Sequence, residues 1–529
     1  MTNQSSLPKV TVPIVFFGAA NAGKSTLIGY LVSSLVKGSG SNLGRINSRL
    51  KEQYPGFYKS DQYYAYLTDK LPEEIRRNSE SQELGTTKKD HITPPIKLLE
   101  QSSMGHFSIN IPLVDTPGNP RARKARFKGF FCGEIGIFVF EIKQNAFWFS
   151  YQNQSTYLNH SATSIEELSQ GLIPLRTWLE LPSNPSTIVV LSKCDNSHLP
   201  AHEIISKWVR YAQDFCGELI NNVPVLTTSI NVACRTDQNV INPGERNNFG
   251  DSPEPLWSII KLQATKIATQ YIDSVKSEPS LFTILKECLV EGVGRVYEGK
   301  IVSGCFAKGD TINLLPATGI SNDEQFENGI SATIRSIKEV EGQSVNQASR
   351  GDIVGMCLSK FSVSKFRVRR SSIITKDTTE NIKGDCLKLR LIKGAYQQDL
   401  RIQILNSPGI VWFGRIVPTQ IIAIDDKDEC SIIVESHLTC SNSFVMPLDP
   451  ETGKLMFTEV VVIFNSCALP VKAEILKIGN ISSLDFKEST EKQLTNKRGD
   501  KWAEELLMHK SRGREQSTRI HPSSASWVS

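Results

Sequence analysis

A chain of 529 residues exceeds what one hydrophobic core supports, so about two to four domains are expected. Hydrophobic residues at 39% and charged residues at 22% are ordinary for a folded globular protein, and they exclude a fibrous repeat or a wholly disordered chain. The formal net charge of +5 permits an RNA partner without indicating one.

Residues 1–9 lack the basic start and apolar core of a signal peptide, and no apolar run approaches the roughly 20 residues needed to cross a bilayer. These features predict a cytoplasmic protein with no membrane partner. The eleven cysteines form no C-x-x-C pair, which argues against a zinc ribbon or a thioredoxin-type site. They are predicted to be buried, reduced thiols.

The first apolar run, residues 10–17, stops at a glycine, and residues 25–36 then show helical spacing. This order predicts a strand, a glycine loop and a helix. Further apolar runs at 107–114, 135–142, 187–191 and 223–227 alternate with segments such as 165–181 that are long enough for helices. The alternation predicts a mostly parallel sheet covered by helices, with Trp178 in the core.

The pattern changes near residues 274–279, after which short strands with glycine turns follow, and a second polar break lies near 376–384. The predicted fold class is an α/β P-loop domain over 1–275, followed by two β-barrel domains over 280–378 and 382–480. Residues 481–529 are rich in Lys, Glu, Ser and Arg, which predicts a charged, partly disordered extension.

A phosphate-binding motif lies between the first predicted strand and helix. It matches G-x-x-x-x-G-K-S and consists of Gly18, Ala19, Ala20, Asn21, Ala22, Gly23, Lys24 and Ser25, with Thr26 directly after it. Small residues let backbone N–H groups close around phosphates, while Lys24 opposes the β and γ oxygens and Ser25 ligates Mg²⁺. The alternative is a glycine turn before an ordinary helix.

A second motif, Asp115-Thr116-Pro117-Gly118, ends the apolar run at 109–114. A carboxylate at a strand end is positioned for the water shell of Mg²⁺, and the N–H of Gly118 for a γ-phosphate. This tetrapeptide is often only a turn. Its place after the phosphate loop favours a Walker-B site.

Two later motifs point to a guanine base. Ser192-Lys193-Cys194-Asp195 follows a predicted strand and resembles the N-K-x-D element of GTPases, with Ser192 in place of Asn. Asp195 would accept the N1 and N2 protons of guanine, a pattern that adenine does not offer, and the stem of Lys193 would lie along the base. The tripeptide Ser229, Ile230 and Asn231 falls where a backbone N–H would meet guanine O6.

In this order the four elements resemble the translational GTPases of the elongation factor Tu and elongation factor 1-alpha family. Residues 64–71 look like that family's Y-A-W-x-x-D-K-L, residues 83–87 occupy the place of its E-R-G-I-T, and residues 350–355 are similar to its P-G-D-x-V-G. The resemblance covers roughly residues 12–478. It implies that Thr87 is the switch I threonine, a Mg²⁺ ligand in the GTP state together with Ser25 and Asp115.

The resemblance also implies an activity and partners. The cofactors would be GTP or GDP and Mg²⁺, and the partners would be the ribosome, a tRNA or tRNA-mimicking protein, and a nucleotide exchange factor, but not DNA. The family's D-x-P-G-H histidine orients the attacking water, whereas this chain has Asn119. Asn cannot become cationic beside the γ-phosphate, so a weak GTPase with Thr87, Gly118 and Asn119 as catalytic residues is predicted.

Two alternatives remain open at this point. One is a slowly hydrolysing or non-hydrolysing GTP-binding adaptor of the release-factor or ribosome-rescue type. The other is the GTPase subunit of an enzyme like sulfate adenylyltransferase, which shares the three-domain architecture.

Overall fold

The computed structural model describes residues 9–19, 21–36, 39–53, 64–65, 91–93, 95–102, 105–118, 129–142, 171–181, 183–196, 199–229, 254–274, 278–290, 293–315, 330–339, 343–359, 372–376, 381–392, 408–413, 415–425, 431–436, 444–449, 452–464 and 470–479. The chain divides into two compact units. The first comprises Met1–Ile312 and Thr333–Lys360, and the second comprises Asn313–Ala332 and Phe361–Ser529.

The helices are α1 (Lys24–Leu35), α2 (Ser39–Gln53), α3 (Ile173–Leu179), α4 (Ala201–Cys216) and α5 (Glu254–Ser274). The strands of the α/β part are β1 (Lys9–Thr11), β2 (Ile14–Phe17), β3 (His91–Ile92), β4 (Ile96–Ser102), β5 (Gly105–Ile111), β6 (Leu113–Asp115), β7 (Ile135–Glu141), β8 (Ser186–Ser192) and β9 (Val225–Thr227). The next strands are β10 (Leu281–Val290), β11 (Gly294–Ser303), β12 (Cys305–Ala307), β13 (Thr311–Leu315), β14 (Ile330–Glu339), β15 (Ser344–Val345), β16 (Gln347–Ser349), β17 (Ile353–Leu358) and β18 (Ile373–Thr375). The last are β19 (Asn381–Gly384), β20 (Cys386–Leu391), β21 (Pro408–Trp412), β22 (Arg415–Asp425), β23 (Ser431–Ser436), β24 (Phe444–Pro447), β25 (Glu459–Phe464) and β26 (Pro470–Gly479).

The first unit is built on a six-stranded sheet with the order β3-β6-β2-β7-β8-β9. All neighbours are parallel except β3, which is antiparallel to β6. Both faces of this sheet are buried. Alternate residues of β2 point to opposite faces, and all four are buried. Ile14 and Phe16 join the core shared with α1 and α5, while Phe17 stacks on Phe138 and packs at an angle against Trp178 on the other side. Burial on both faces explains why these strands are continuous apolar runs.

Two of the predicted strands are each divided in the structure. The run at 10–17 forms β1 and β2, and the run at 107–114 forms β5 and β6. Prolines 13 and 112 stand at the divisions, where a residue without an N–H cannot continue a ladder. The prediction of single strands was therefore wrong here: β1, β5 and β4 form a separate three-stranded sheet, and β2 and β6 belong to the main sheet.

The barrel strands follow α5, which ends at Ser274. In the first unit β10, β11, β17, β14 and β15 are antiparallel neighbours in that order, and β12 pairs with β16. In the second unit β13 pairs with β18, and a closed barrel runs β20-β23-β22-β21-β25-β26. Strand β19 lies inside the polar segment that was predicted to separate the two barrel modules. It forms a strand there because its backbone pairs with β24, and this pairing does not require an apolar period.

The described residues also bear on two other predictions from the sequence, which concern the cysteines and membrane-spanning helices. Five cysteines there are buried as free thiols (Cys132, Cys194, Cys216, Cys357 and Cys386), whereas Cys288 and Cys305 are half-buried. None of the helices in the described part combines the length and apolar character needed to span a bilayer.

The aromatic cluster around Trp178 yields a stability prediction. Trp178 is fully buried, as predicted, and Gly136 lies so close that a Cβ there would be 2.6 Å from the indole. Trp178→Ala should lower the free energy of unfolding by about 3–5 kcal/mol, because it leaves a large cavity. Leu262→Ala on α5 is the control: its side chain is 73% exposed, and a change within about 0.5 kcal/mol is expected. Urea unfolding measures both, and equal effects would contradict the cavity argument.

Candidate nucleotide-binding site

The candidate residues collect at one edge of the main sheet. Strands β2, β6, β7 and β8 are parallel, so their carboxyl ends meet there. Gly18 directly follows β2, Asp115 ends β6, and Ser192 ends β8. The topology therefore places the three motifs side by side although they are far apart in sequence.

The phosphate loop has a backbone that few residue types adopt. Gly18, Asn21 and Gly23 have φ of +150°, +63° and +91°. A Cβ on Gly18 would stand 2.3 Å from the carbonyl oxygen of Val139, so β7 presses directly on the loop. Asn tolerates the left-handed region better than most residues. The loop sequence is thus suited to a tight turn that aims the first N–H groups of α1 into the space it encloses.

Lys24 is buried at the start of α1, with 6% of its surface exposed. Its Nζ donates to the carbonyl oxygens of Gly18 at 3.0 Å and Ala19 at 2.7 Å, so the side chain folds back over its own loop. These carbonyls carry no formal charge, whereas phosphate oxygens carry negative charge and would attract the same ammonium more strongly. The geometry suits an anion held between Lys24 and the helix N-terminus.

Ser25 and Asp115 form a pair of oxygen groups beside the loop. The Ser25 hydroxyl donates to Oδ2 of Asp115 at 2.5 Å, and Asp115 is 1% exposed. Oxygen donors of this type fit Mg²⁺, which needs few protein ligands and retains waters or phosphate oxygens for the rest of its shell. Thr116, the next residue, is buried and donates to the Phe16 carbonyl oxygen at 2.6 Å, which fixes the end of β6 against β2.

Ser192 ties the base-side motif to the phosphate loop. Its hydroxyl lies 2.6 Å from the carbonyl oxygen of Ala22 and 3.2 Å from that of Phe140. A serine hydroxyl has one proton to donate, and the nearer acceptor is the loop carbonyl. Although Ser replaces Asn in this motif, a hydrogen bond therefore still connects β8 to the loop. This bond from Ser192 to the Ala22 carbonyl oxygen is called the Ser192 strap below.

The next residues extend from the strap toward the exposed side. Lys193 has a φ of +57°, and its Nζ forms a 2.9 Å ion pair with Glu141, the last residue of β7. Asp195 is exposed and accepts a hydrogen bond of 2.7 Å from the Ser229 hydroxyl. Burial raises the pKa of the Cys194 thiol to about 11, so this neighbour stays neutral at physiological pH.

Most of the predicted site residues lie in the described part. Asn21 is exposed, whereas Gly118 and Thr26 are half-buried near the loop motifs. Ala20, Thr87, Asn119, Ile230 and Asn231 lie outside the described residues. Glu141 was not among the predicted site residues, although its position at the carboxyl end of an apolar strand indicates such a role.

No family model matches the sequence. The elongation factor 1-alpha of Metallosphaera sedula is 21% identical over 448 residues, which cover 83% of this chain and 83% of that protein.

Solved structures give a broader likeness. The S. cerevisiae Ski7 GTPase-like domain is similar with a TM-score of 0.60 and 14% identity, covering 88% of this chain and 97% of that one. A bacterial selenocysteine-specific elongation factor has a TM-score of 0.53 and 16% identity, covering 92% of this chain. The chain spans only 62% of that factor's length. The elongation factor SelB of Methanococcus maripaludis has a TM-score of 0.50 and 15% identity, covering 90% of this chain and 81% of that one.

These likenesses decide the architecture. The chain has the fold of the translational GTPases. The predicted fold class, an α/β domain followed by β-barrel modules, is confirmed. At these levels of identity the likeness concerns the fold, and the chemistry of the site depends on the residues described above.

The Ser192 strap gives a test of the site. Ser192→Ala removes the donor and leaves the buried Ala22 carbonyl without it, at a cost of about 1–2 kcal/mol, so GDP affinity should fall about 5- to 30-fold. Ser206→Ala is the matched control, because the Ser206 hydroxyl also donates to a carbonyl oxygen, that of His202 at 2.8 Å, but on the exposed side of α4. Titration calorimetry with GDP compares the variants, and an equal affinity of both for GDP would mean that the strap does not shape the loop.

Proposed function

We propose that the chain is a GTP-binding translation factor that switches between GTP and GDP states in the cytoplasm. The observation that most supports this proposal is the meeting of three motifs at one sheet edge, with Lys24 folded over the loop and Ser192 bonded to it. Proteins of similar fold have been solved with GTP, with GDP and inorganic phosphate, and with the GTP analogue GPPNHP.

In this proposal the phosphate end is held by Lys24 and the N–H groups of residues 18–26. Ser25 and Asp115, already within hydrogen-bond distance of each other, would hold Mg²⁺ together with Thr87 in the GTP state. Mg²⁺ would neutralise charge on the phosphates when bound. The Ser25 hydroxyl donates its proton to Asp115 and keeps its oxygen lone pairs, which would be available to the cation.

The base end is assigned to Lys193, Asp195 and the segment 229–231. The Ser229 hydroxyl holds Oδ1 of Asp195, which leaves the carboxylate with further lone pairs for the N1 and N2 protons of guanine. The ion pair with Glu141 directs the Lys193 stem along the edge of the site. Adenine would present a donor and an acceptor in the wrong order, so guanine should be preferred.

The partners follow from the family likeness. We propose that the GTP state binds a tRNA or a tRNA-mimicking protein and associates with the ribosome, with a nucleotide exchange factor resetting the cycle. The relative from Metallosphaera sedula, the bacterial selenocysteine-specific factor and the SelB of Methanococcus maripaludis are all named as elongation factors, which supports a role in translation.

A second candidate is an adaptor that holds GTP and hydrolyses it slowly. It is favoured by Asn119, which replaces the histidine of the family pattern. The likeness to the Ski7 GTPase-like domain bound to GTP supports the same candidate.

Co-sedimentation with ribosomes tests the translational proposal. The full chain is mixed with ribosomes in a non-hydrolysable GTP analogue, in GDP and without nucleotide. Pelleting that depends on the analogue is expected. Equal pelleting in all three conditions would show that ribosome binding does not depend on the nucleotide. No pelleting in any condition would favour a partner outside translation.

Asp195 provides a test of base selection. Asp195→Asn should weaken GDP binding about tenfold or more, because a charge-assisted hydrogen bond contributes about 1.5–3 kcal/mol. The same change should improve binding of xanthosine diphosphate, since the amide offers a donor where xanthine has an oxygen. Improved binding of xanthosine diphosphate would also show that the variant is folded. A loss for both nucleotides in a folded variant would contradict the assignment.

Asn119 provides a test of the chemical step. Asn119→His should raise ribosome-stimulated GTP hydrolysis, since a preorganised group at the attacking water is typically worth about 10²–10³ in rate. GDP affinity should not change, because residue 119 is assigned to the water and not to the nucleotide. Rapid-quench measurement gives the rate. A slower variant would show that another residue positions the water.

A further inference from the structure

The carboxyl end of β7 lies directly against the base-side motif at the end of β8. The two strands are parallel neighbours with Glu141 opposite Ser192, and the backbone N–H of Ile142 donates to the Ser192 carbonyl oxygen at 2.9 Å. The carbonyl oxygen of Phe140 lies 3.2 Å from the Ser192 hydroxyl. Both neighbours of Glu141 therefore contact the first residue of this motif, and Glu141 carries the charge at this strand end.

The backbone on both sides of Lys193 is fixed by hydrogen bonds to the end of β9. The N–H of Thr228 donates to the carbonyl oxygen of Leu191 at 2.8 Å, and the Thr228 carbonyl oxygen accepts from the N–H of Cys194 at 3.2 Å. Lys193 itself has a φ of +57°, a left-handed conformation that is unfavourable for a residue with a side chain. The backbone of Lys193 is thus held in place, and what remains to be ordered is its long side chain.

The side chain of Lys193 is ordered by Glu141. Its Nζ lies 2.9 Å from Oε1 of Glu141, and the two side chains are 39% and 26% exposed. Within the described residues, this carboxylate is the polar group that the ammonium contacts. The ion pair joins β7 to β8 through side chains, next to the backbone bond of Ile142. The stem of Lys193 therefore has a fixed direction in the protein itself.

The ion pair has two opposing effects on a nucleotide in the site. Lysine has a flexible four-carbon stem, and ordering it in advance removes an entropic cost from ligand binding. A carboxylate at this edge would by itself repel phosphates. The charge of Glu141 is compensated by a cation at hydrogen-bond distance, so this repulsion is largely cancelled. The ordering effect is therefore the larger one, and nucleotide should bind more tightly with Glu141 than without it.

We propose that Glu141 is a positioning residue of the guanine subsite, which acts through Lys193 and sets how slowly GDP leaves. This role rests on the proposed function, because it requires a guanine nucleotide in the site. Glu141 belongs to none of the four sequence motifs, so its role is an addition to them. A purely structural role would instead affect the fold whether or not Lys193 carries its charge.

Release of a fluorescent nucleotide tests the proposal in the full chain. N-methylanthraniloyl GDP is bound and displaced with excess GDP, and stopped-flow fluorescence gives the dissociation rate. Glu141→Gln should release the nucleotide about 3–10 times faster, since the pair lies between the exposed and the buried extremes. The association rate should change less, because differences between related complexes lie mostly in dissociation. Unchanged or slower release overturns the proposal.

Glu459→Gln is the matched control. Glu459 pairs with Lys472 at 2.7 Å, and the two side chains are 29% and 23% exposed, so the same substitution removes an ion pair of similar length and burial. This pair joins β25 to β26 in the second unit, on strands that carry none of the four motifs. Release at the native rate is expected. Equal acceleration by Glu459→Gln and Glu141→Gln would overturn the specific role of Glu141.

A double-mutant cycle separates positioning from a structural role. Lys193→Met keeps the apolar stem and removes the ammonium, so Glu141 has no charge to hold. Glu141→Gln should therefore accelerate release in the native chain and change it by less than about twofold in the Lys193→Met background. Equal acceleration in both backgrounds would show that Glu141 acts on the fold or on the nucleotide directly, which overturns the proposal.

A second variant keeps the test decisive if Glu141→Gln does not fold. Glu141→Asp keeps the charge and shortens its reach by one methylene, so faster release is again expected, and release at the native rate overturns the proposal. Failure of the proposed function is a different result. If the native chain does not bind N-methylanthraniloyl GDP, the proposed function is refuted and the role of Glu141 with it. If the native chain binds it and the variants match the native rate, only the role of Glu141 is refuted.

Discussion

Burial of both faces of the central sheet is the constraint on which the rest of the first unit depends. With Phe16 facing α1 and α5 and Phe17 facing Trp178, the strands offer no face to water. Charged groups are therefore found where the strands end. The carboxyl edge receives Asp115, Glu141 and Ser192, and the amino edge receives Glu134.

At the carboxyl edge, the hydrogen bond of Ser192 to the loop takes the place of a contact from the larger Asn of the N-K-x-D element. The Ser192 hydroxyl reaches the loop beside Gly23, where a Cβ would be in ordinary van der Waals contact with Oγ at 3.7 Å. Ser25 and Lys24 are likewise bonded within the loop region, to Asp115 and to the carbonyls of Gly18 and Ala19. The loop is held from several sides, which limits the rearrangement that a ligand must impose.

The sequence predicted the features that are encoded locally. The phosphate loop and α1 could be located to within a residue, because glycines and the helical period mark them directly. The division of residues 10–17 into two strands was missed because an apolar run dominates the pattern, although proline 13 interrupts it. Contacts between distant residues could not be predicted: Ser192 meets Ala22 across 170 positions, and Lys193 meets Glu141 across 52. The contacts of Arg350 with Glu278 and with the Tyr271 ring could not be predicted either, since these partners come from α5 and from the connection after it.

The contact of Gly351 with Thr11 restricts which residue can occupy position 351. Its φ of +89° strains any side chain, and a Cβ there would stand 2.0 Å from the carbonyl oxygen of Thr11. A larger residue would therefore have to move the turn between β16 and β17 away from β1. The same displacement would lengthen the hydrogen bond from the Thr11 hydroxyl to Asp352, so one substitution would disturb two contacts between the small sheet and this turn.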